Sequence, residues 1–416
     1  MSSNPSEASS LSPQAAFERA KQLFLSGLES LAGERLEEAE RSFTESLALM
    51  PDRVSTLVNL AAVRVRLSRP TDVLVTTQQL LRIEPKNPDA WFHRAEALAQ
   101  LDRHDDALEA FRLAGQFNPG VAMPWYRHGQ ILQSLGRDSE ALTSYEHAVT
   151  ADPGFAPAWT NKGNILREMS RLPEAAQAFR QAIANGSTDE LHAYYLASVS
   201  GDARAATAPG EYVESLFDAY ADDFDHHVVD VLGYRAHEVL AREVVRLSAG
   251  RRYHSALDLG CGTGLCGALL KDSTDRLIGV DLSSQMLAKA QATGRYEQLV
   301  HADIDGYLQT LTTRHDLVVA ADVFIYVGEL MSVFEGIGRV VEAGGMFAFS
   351  VEVLPPEEDE DFALQPSLRF AHTERYARAL ASANGFEVIE TLRAPLRHDQ
   401  RQAIEGLFFF LRKTGA

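Results

Sequence analysis

The sequence predicts two domains of different class: an all-α solenoid of helical repeats, followed by an α/β domain built on a doubly wound sheet. Two patterns predict this. The first half carries a fixed 34-residue period, and the second alternates short apolar runs with helical stretches. A third feature, the stretch Asp258-Leu-Gly-Cys-Gly-Thr-Gly, marks where the α/β domain holds a ligand.

The period comes first along the chain. Pro51, Pro85, Pro119 and Pro153 lie 34 residues apart, and Trp91, Trp125 and Trp159 keep the same step. So do Ala107, Ala141 and Ala175; Phe111, Tyr145 and Phe179; and Ala114, Ala148 and Ala182. Gly129 and Gly163 follow their tryptophans by four residues. Small residues let paired helices approach, and the aromatics fill the gaps between them. An earlier copy keeps Gly27, Ala39, Phe43 and Pro51, while the copy from Val54 to Asn87 keeps mainly Leu60 and Pro85. The last copy has Ser187 where the proline is expected. The pattern resembles the tetratricopeptide repeat, in five copies over roughly 20–189. That resemblance implies a concave surface for a protein or peptide ligand, or alternatively a scaffold that sets homo-oligomerisation.

Composition narrows the function classes. With 416 residues, 45% hydrophobic and 23% charged, the chain has the make-up of a globular protein of two or more domains. Lys+Arg 39 against Asp+Glu 58 gives a formal net charge of −19, which repels phosphate backbones and anionic lipid, so nucleic acid and membrane are not expected partners. Cys261 and Cys266, the only cysteines, fit no disulfide framework or zinc spacing, and no metal site is expected. The start, "MSSNPSEASSLSPQ", is polar and Ser-rich without a signal-like apolar core; residues 1–15 are expected to be a disordered tail and the protein cytoplasmic.

The domains are expected at 16–189 for the repeats, 190–211 for a linker and 212–416 for the α/β part. Strands are predicted at His254–Leu259, Arg276–Leu282, Glu297–Ala302, Asp316–Ala321 and Met346–Val351. Helices are predicted near Gly264–Lys271, Ser284–Ala292, Asp305–Thr312 and Glu329–Glu342. Phe386–Leu392 and Leu407–Arg412, joined without a crossover helix, are expected to pair antiparallel at an edge.

The glycine stretch reads in two frames. From Gly262 it spells G-x-G-x-x-G, the dinucleotide fingerprint; from Asp258 it spells D-x-G-x-G-x-G. The predicted first strand ends at Leu259, so glycines must follow at once, which favours the second frame. A carboxylate at the strand end would repel a pyrophosphate and attract a phosphate-free cation. Here the domain resembles the class I S-adenosylmethionine-dependent methyltransferases over roughly Tyr212–Lys413, which implies a Rossmann-like, seven-stranded sheet with an antiparallel C-terminal edge strand. The resemblance implies S-adenosylmethionine as cofactor, held by Asp258, Gly260, Cys261, Gly262, Thr263 and Gly264. It adds Asp281 for the ribose with Leu282 and Met286 after it, Asp303 and Ile304 near the adenine, and Asp322 at the methyl end. Three acids ending three consecutive strands make a specific pattern.

Upstream, "LFDAYADDFDHHVVDVLGYRAHEVL" looks like a helical cap, with Tyr220 over the cofactor and His226, His227 or Tyr234 toward the acceptor. Tyr326, Arg369 and His372 are further candidates for the acceptor side, Tyr326 having a core or rim position as its alternative. Methyl transfer is an in-line displacement that rests on positioning, and a base is needed only for an acceptor that must lose a proton. His227, Asp322 and His372, with His226, are the residues considered for that role. The expected function is a methyltransferase whose repeats recruit a protein, peptide or carrier-bound acceptor. The alternatives are a small-molecule methyltransferase with the repeats used for oligomerisation or scaffolding, and a non-enzymatic repeat scaffold.

Overall fold

Each 34-residue copy becomes a pair of helices: α1 (Pro13–Ala32) with α2 (Leu36–Leu49), α3 (Val54–Arg66) with α4 (Pro70–Ile83), and α5 (Pro88–Gln100) with α6 (His104–Phe117). The series continues with α7 (Met123–Ser134) and α8 (Asp138–Ala151), then α9 (Ala156–Glu168) and α10 (Leu172–Ala184). The structure, a computed structural model, describes residues 12–201, 207–226, 233–355, 357, 359–399 and 402–415. The chain divides into two compact units, one of residues up to Leu166 with Gln177–Ser187, the other of Arg167–Ala176 with Thr188–Ala416.

The repeat positions acquire physical roles. A Cβ added to Gly129 would stand 2.7 Å from the Tyr145 ring, and one at Gly163 would stand 2.6 Å from that of Phe179. Gly27 faces Phe43 in the same way. Phe43, Phe111, Tyr145 and Phe179 are fully buried, so each seats one ring between the helices of its own pair. The tryptophan and proline positions are coupled: the indole N–H of Trp91 donates to the Pro85 carbonyl, and that of Trp159 to Pro153, both at 2.9 Å. Two further positions share the period and escaped the sequence reading. Glu34, Ser68, Asp102, Gly136 and Ser170 all turn through positive φ between paired helices. An arginine follows each, and Arg103, Arg137 and Arg171 reach an acid three residues on at 2.5–2.7 Å. Such exposed pairs are worth at most ~1 kcal/mol, so they mark the turn more than they stabilise it.

Helix α1 begins inside the stretch expected to be a disordered tail. Ser12 accepts a hydrogen bond from the Ala15 amide and Pro13 opens the first turn, so residues 13–15 are helical; residues 1–11 lie outside the described ones. The segment expected as a linker, 190–211, contains α11 (Glu190–Ser200), and its residues 202–206 lie outside the described ones. Tyr194 of α11 is buried and donates to the Leu368 carbonyl at 2.8 Å, which makes α11 part of the second unit.

After α12 (Gly210–Tyr220) and α13 (Ala236–Leu247), strands and helices alternate: β1 (Tyr253–Leu259), α14 (Leu265–Leu270), β2 (Thr274–Asp281), α15 (Ser284–Ala292), β3 (Gln298–His301), α16 (Ile304–Thr310), β4 (His315–Ala320), α17 (Met331–Val340) and β5 (Val341–Val353). Then come β6 (Phe362–Leu364), β7 (Phe370–His372), α18 (Glu374–Ala383), β8 (Phe386–Asp399) and β9 (Gln402–Lys413). The parallel order is β3-β2-β1-β4-β5, so the direction of winding reverses between β1 and β4. β9 pairs antiparallel with β5 from Met346 to Glu352, and β8 lies outside it. Leu407–Leu411 is buried on both faces, and Phe409 stacks on Phe349 at 4.9 Å across the pair. Among the described residues the sheet has nine strands rather than the expected seven. The additional β6 and β7 are three residues each, too short for an alternating pattern to show, and β7 pairs with the end of β5.

Enlarging the small residue against a repeat aromatic is expected to disrupt the first unit. Gly129→Val pushes methyl groups into the Tyr145 ring and should cost ~1–3 kcal/mol. A lowered urea midpoint for the helical transition, followed by circular dichroism, checks this.

Candidate functional site

β1 ends at Leu259 and the chain turns at once into the glycine loop, with Gly260, Gly262 and Gly264 at φ of 66°, 53° and 94°. Residues with a Cβ rarely adopt that region, and at Gly260 a Cβ would also strike the Val323 side chain. The loop is pinned from β2. The Val280 carbonyl accepts from the Gly260 and Cys261 amides at 2.8 and 3.0 Å, and Asp281 accepts from the Gly262 amide at 2.8 Å. The other Asp281 oxygen accepts from the Ser283 amide at 2.9 Å. This frame is the one that starts at Asp258.

Asp258 is 1% exposed and accepts the Tyr296 hydroxyl at 2.7 Å. Tyr296 reaches it because Gly267 and Gly279 leave room: a Cβ on either would run into Tyr296. Burial pushes the Asp258 carboxyl up to about 7, against the Tyr296 hydrogen bond and with the Asp281 charge adding to it. Burial also raises Asp281, against its backbone hydrogen bonds. No lysine or arginine among the described residues offsets either charge. The Asp258 carboxylate, buried without a counter-ion, and the half-buried Asp281 beside it make a site whose charge a cationic ligand offsets.

Both line a cavity of about 1210 Å³ beyond the carboxyl ends of the strands, at the point where winding reverses. That exceeds the ~300–1,000 Å³ of an ordinary small-molecule site, leaving room for a second ligand. Gly260, Cys261, Gly262 and Thr263 form one wall with Leu282 and Met286; Gly264 is not on it and sits against Tyr296 and Ala290. Asp303 and Ile304 continue the wall past β3. Asp303 also caps α16, accepting the Gly306 amide at 2.7 Å. The donor set fits S-adenosylmethionine: uncompensated carboxylates for a cation, a carboxylate at the end of β2 for ribose hydroxyls, and no basic cluster for phosphate.

The cap carries three acids that the sequence reading passed over. Asp218 accepts from the Ser283 hydroxyl at 2.5 Å and the Gln285 amide at 3.2 Å, at the start of α15, where the helix dipole favours a negative charge. Asp222 pairs with Lys289 at 2.7 Å, and Asp225 accepts from the Thr263 hydroxyl at 2.5 Å. These fasten the cap to the cofactor loops and set Tyr220 on the cavity wall, where its ring meets Phe224 edge to face at 5.5 Å.

Asp322, Tyr234, Tyr326 and Arg369 also line the cavity, beyond β4 and β5. Asp322 holds a left-handed φ of 58°, its amide donates to the Ser350 hydroxyl at 2.9 Å, and its Oδ2 accepts from Arg397 at 2.8 Å. Arg397 also bonds Glu352, so one buried guanidinium joins two carboxylates. The β8–β9 register shifts between Pro395 and Arg397, a bulge of the kind that re-aims side chains at functional sites. Burial opposes the Arg397 charge, yet Asp322 and Glu352 together hold its pKa above the usual value. Glu352 is buried on β5, and burial raises its pKa. Arg397 had no signal in the sequence: it fell in the stretch expected to join the last two strands, whereas β8 runs on through it to Asp399.

The histidine candidates are corrected. His372 is fully buried with Nε2 on the Val327 and Gly328 carbonyls at 3.0 and 2.9 Å, and burial brings its pKa down to about 4. It is a core histidine and no general base. His226 is exposed and off the cavity wall, and His227 lies outside the described residues. The histidine on the wall is His237, which stacks on Tyr234 at 5.1 Å and whose pKa burial lowers.

Ionised Asp258 is what a cation needs, so S-adenosylmethionine affinity should rise roughly tenfold per pH unit from 5 to 7 and level off above. Asp258→Asn should flatten that rise and weaken binding at least about tenfold at pH 8. The free protein behaves oppositely. Folded Asp258 keeps a proton that the unfolded chain has released, so its contribution to stability is lost as pH rises from about 4 to about 7. Calorimetric titration and thermal melts across this range measure both.

Parts of the chain are similar to known proteins. Residues 257–349 match the model of a methyltransferase domain, 126–190 that of a tetratricopeptide repeat, and 4–117 that of a bacterial transcriptional activator domain. A malonyl-[acyl-carrier protein] O-methyltransferase of Enterobacter lignolyticus (strain SCF1) is 28% identical over 173 residues, 39% of this chain and 68% of that protein. Methyltransferase-like protein 27 of Homo sapiens is 38% identical over 109 residues, 25% of this chain and 44% of its own. Magnesium protoporphyrin IX methyltransferase from Synechocystis PCC 6803 aligns with a TM-score of 0.39 and 17% identity, covering 51% of this chain and 100% of that one. Among the described residues no helix is long and apolar enough to cross a membrane. The chain joins a tetratricopeptide-repeat array to a methyltransferase domain that uses S-adenosylmethionine.

Proposed function

We propose that the protein methylates a small reactive group presented on a protein, peptide or carrier, with the repeats recruiting the bearer and the cavity of the second unit taking the group. The observation that carries this is the capped cavity lined by the Asp258 and Asp281 carboxylates with no lysine or arginine on them, which admits a cationic cofactor together with a small group and no folded surface. When bound, S-adenosylmethionine supplies a methyl carbon activated by its sulfonium. Asp258 and Asp281 hold the cationic and ribose ends, Asp303 lies beside the adenine, and the acids of the cap close the loops over them. Beyond β4, Asp322 is fixed by Arg397 and Ser350, which gives the acceptor end a rigid wall. The curated relative named for a carrier-linked substrate supports a carrier-bound acceptor here. A second reading, a free small-molecule acceptor with the repeats serving assembly, is favoured by the same cap.

Recruitment raises the effective concentration of a tethered group. The full chain should therefore methylate a carrier- or peptide-linked acceptor with a kcat/KM at least about tenfold above that of the same group free in solution. Equal values would leave the second reading standing. Asp281→Ala should weaken cofactor binding by about tenfold or more in either case.

A further inference from the structure

The cavity is charged asymmetrically along the sheet. Asp258 and Asp281 lie at the ends of β1 and β2 and Asp303 just beyond β3, while both cavity arginines lie beyond β4 and β5. Arg397 is engaged by Asp322 and Glu352. Arg369, between β6 and β7, is half-buried and makes no salt bridge within 4.0 Å among the described residues, Glu352 acting on it only from farther off while held by Arg397. The Tyr326 hydroxyl is within hydrogen-bond reach of it. An apolar wall runs from there toward the cap: Phe217 packs edge to face on Tyr326 at 5.5 Å, and Phe224 on Phe217 at 6.0 Å. A partly desolvated guanidinium without an anion is unfavourable, and a carboxylate matches its planar donors.

We propose that this end of the cavity takes the acceptor as a hydrophobic carboxylic acid, its carboxylate on Arg369 and Tyr326 and its apolar body along Phe217 and Phe224, and that the carboxylate oxygen is methylated. This rests on the methyltransferase reading above and names its acceptor class. The surroundings suit an acceptor that is already anionic. His372 faces backbone carbonyls, Asp322 and Glu352 are tied to Arg397, and His237 is stacked on Tyr234. A carboxylate oxygen forms the new C–O bond as the S–C bond breaks, the electron pair of that bond stays on sulfur, and no proton moves. The product is a methyl ester. A single unpaired guanidinium suits a monoanion, and Glu211, Glu214 and Glu329 on the wall disfavour a dianion.

The test uses the full chain with hexanoate, benzoate, their amides and malonate. Calorimetry in the presence of S-adenosylhomocysteine should show hexanoate or benzoate binding at least tenfold more tightly than its amide and than malonate. Arg369→Leu should remove that preference while leaving S-adenosylhomocysteine affinity within twofold, Arg369→Lys should keep part of it, and mass spectrometry should find the methyl ester with S-adenosylmethionine. The proposal is overturned if the amides bind as well as the acids, if neither acid binds the cofactor-loaded chain, or if Arg369→Leu leaves acid binding intact. It is also overturned if Arg369→Leu abolishes S-adenosylhomocysteine binding, which would give Arg369 to the cofactor's own carboxylate. Preferred methylation of a phenol, lost in His237→Gln, overturns it as well. Failure of the unmodified chain to bind S-adenosylhomocysteine would instead sink the methyltransferase reading beneath it.

Discussion

A carboxylate buried without a counter-ion at the end of β1 governs the second unit. Asp258 sits where the sheet reverses its winding, and among the described residues only the Tyr296 hydroxyl bonds its side chain. Much of the local sequence serves that arrangement. Gly267 and Gly279 leave space for Tyr296, the glycine loop bends through left-handed conformations to clear Val323, and Asp281 fastens the loop from β2. The arrangement is unstable alone and becomes favourable with a cation, which is why the geometry selects S-adenosylmethionine over a dinucleotide.

Gly267 shows how two motif frames can share one loop. As the last glycine of G-x-G-x-x-G it would bring helix and strand together beside a pyrophosphate. Here it lies in the first turn of α14 and its missing side chain admits a tyrosine hydroxyl to Asp258. The same residue type meets a different steric demand, and the acid at the strand end decides which.

The repeats and the parallel strands were legible in the sequence because each depends on local periodicity. The aromatic position recurs every 34 residues because four of the five repeats bury a ring between their paired helices, in three of them against a glycine. The three strand-end acids were legible because strand, turn and helix follow one another in the chain. What escaped depends on distant partners. Tyr296 meets Asp258 across 38 positions, Asp225 meets Thr263 across 38, and Arg397 meets Asp322 across 75. His372 misled for the reverse reason: a histidine in a polar-looking stretch fell on a strand whose neighbours buried it.

The acceptor side differs in kind from the cofactor side. It is built from an ion triad, an aromatic wall and one arginine outside any salt bridge, drawn from five separate segments. The account stands on the carboxylates, and the most direct measurement is calorimetric titration of the full chain with S-adenosylmethionine and with the oxidised nicotinamide dinucleotide at pH 8. The account predicts micromolar binding of the first and no saturable binding of the second up to millimolar concentration. Saturable dinucleotide binding, with none of S-adenosylmethionine, would contradict it.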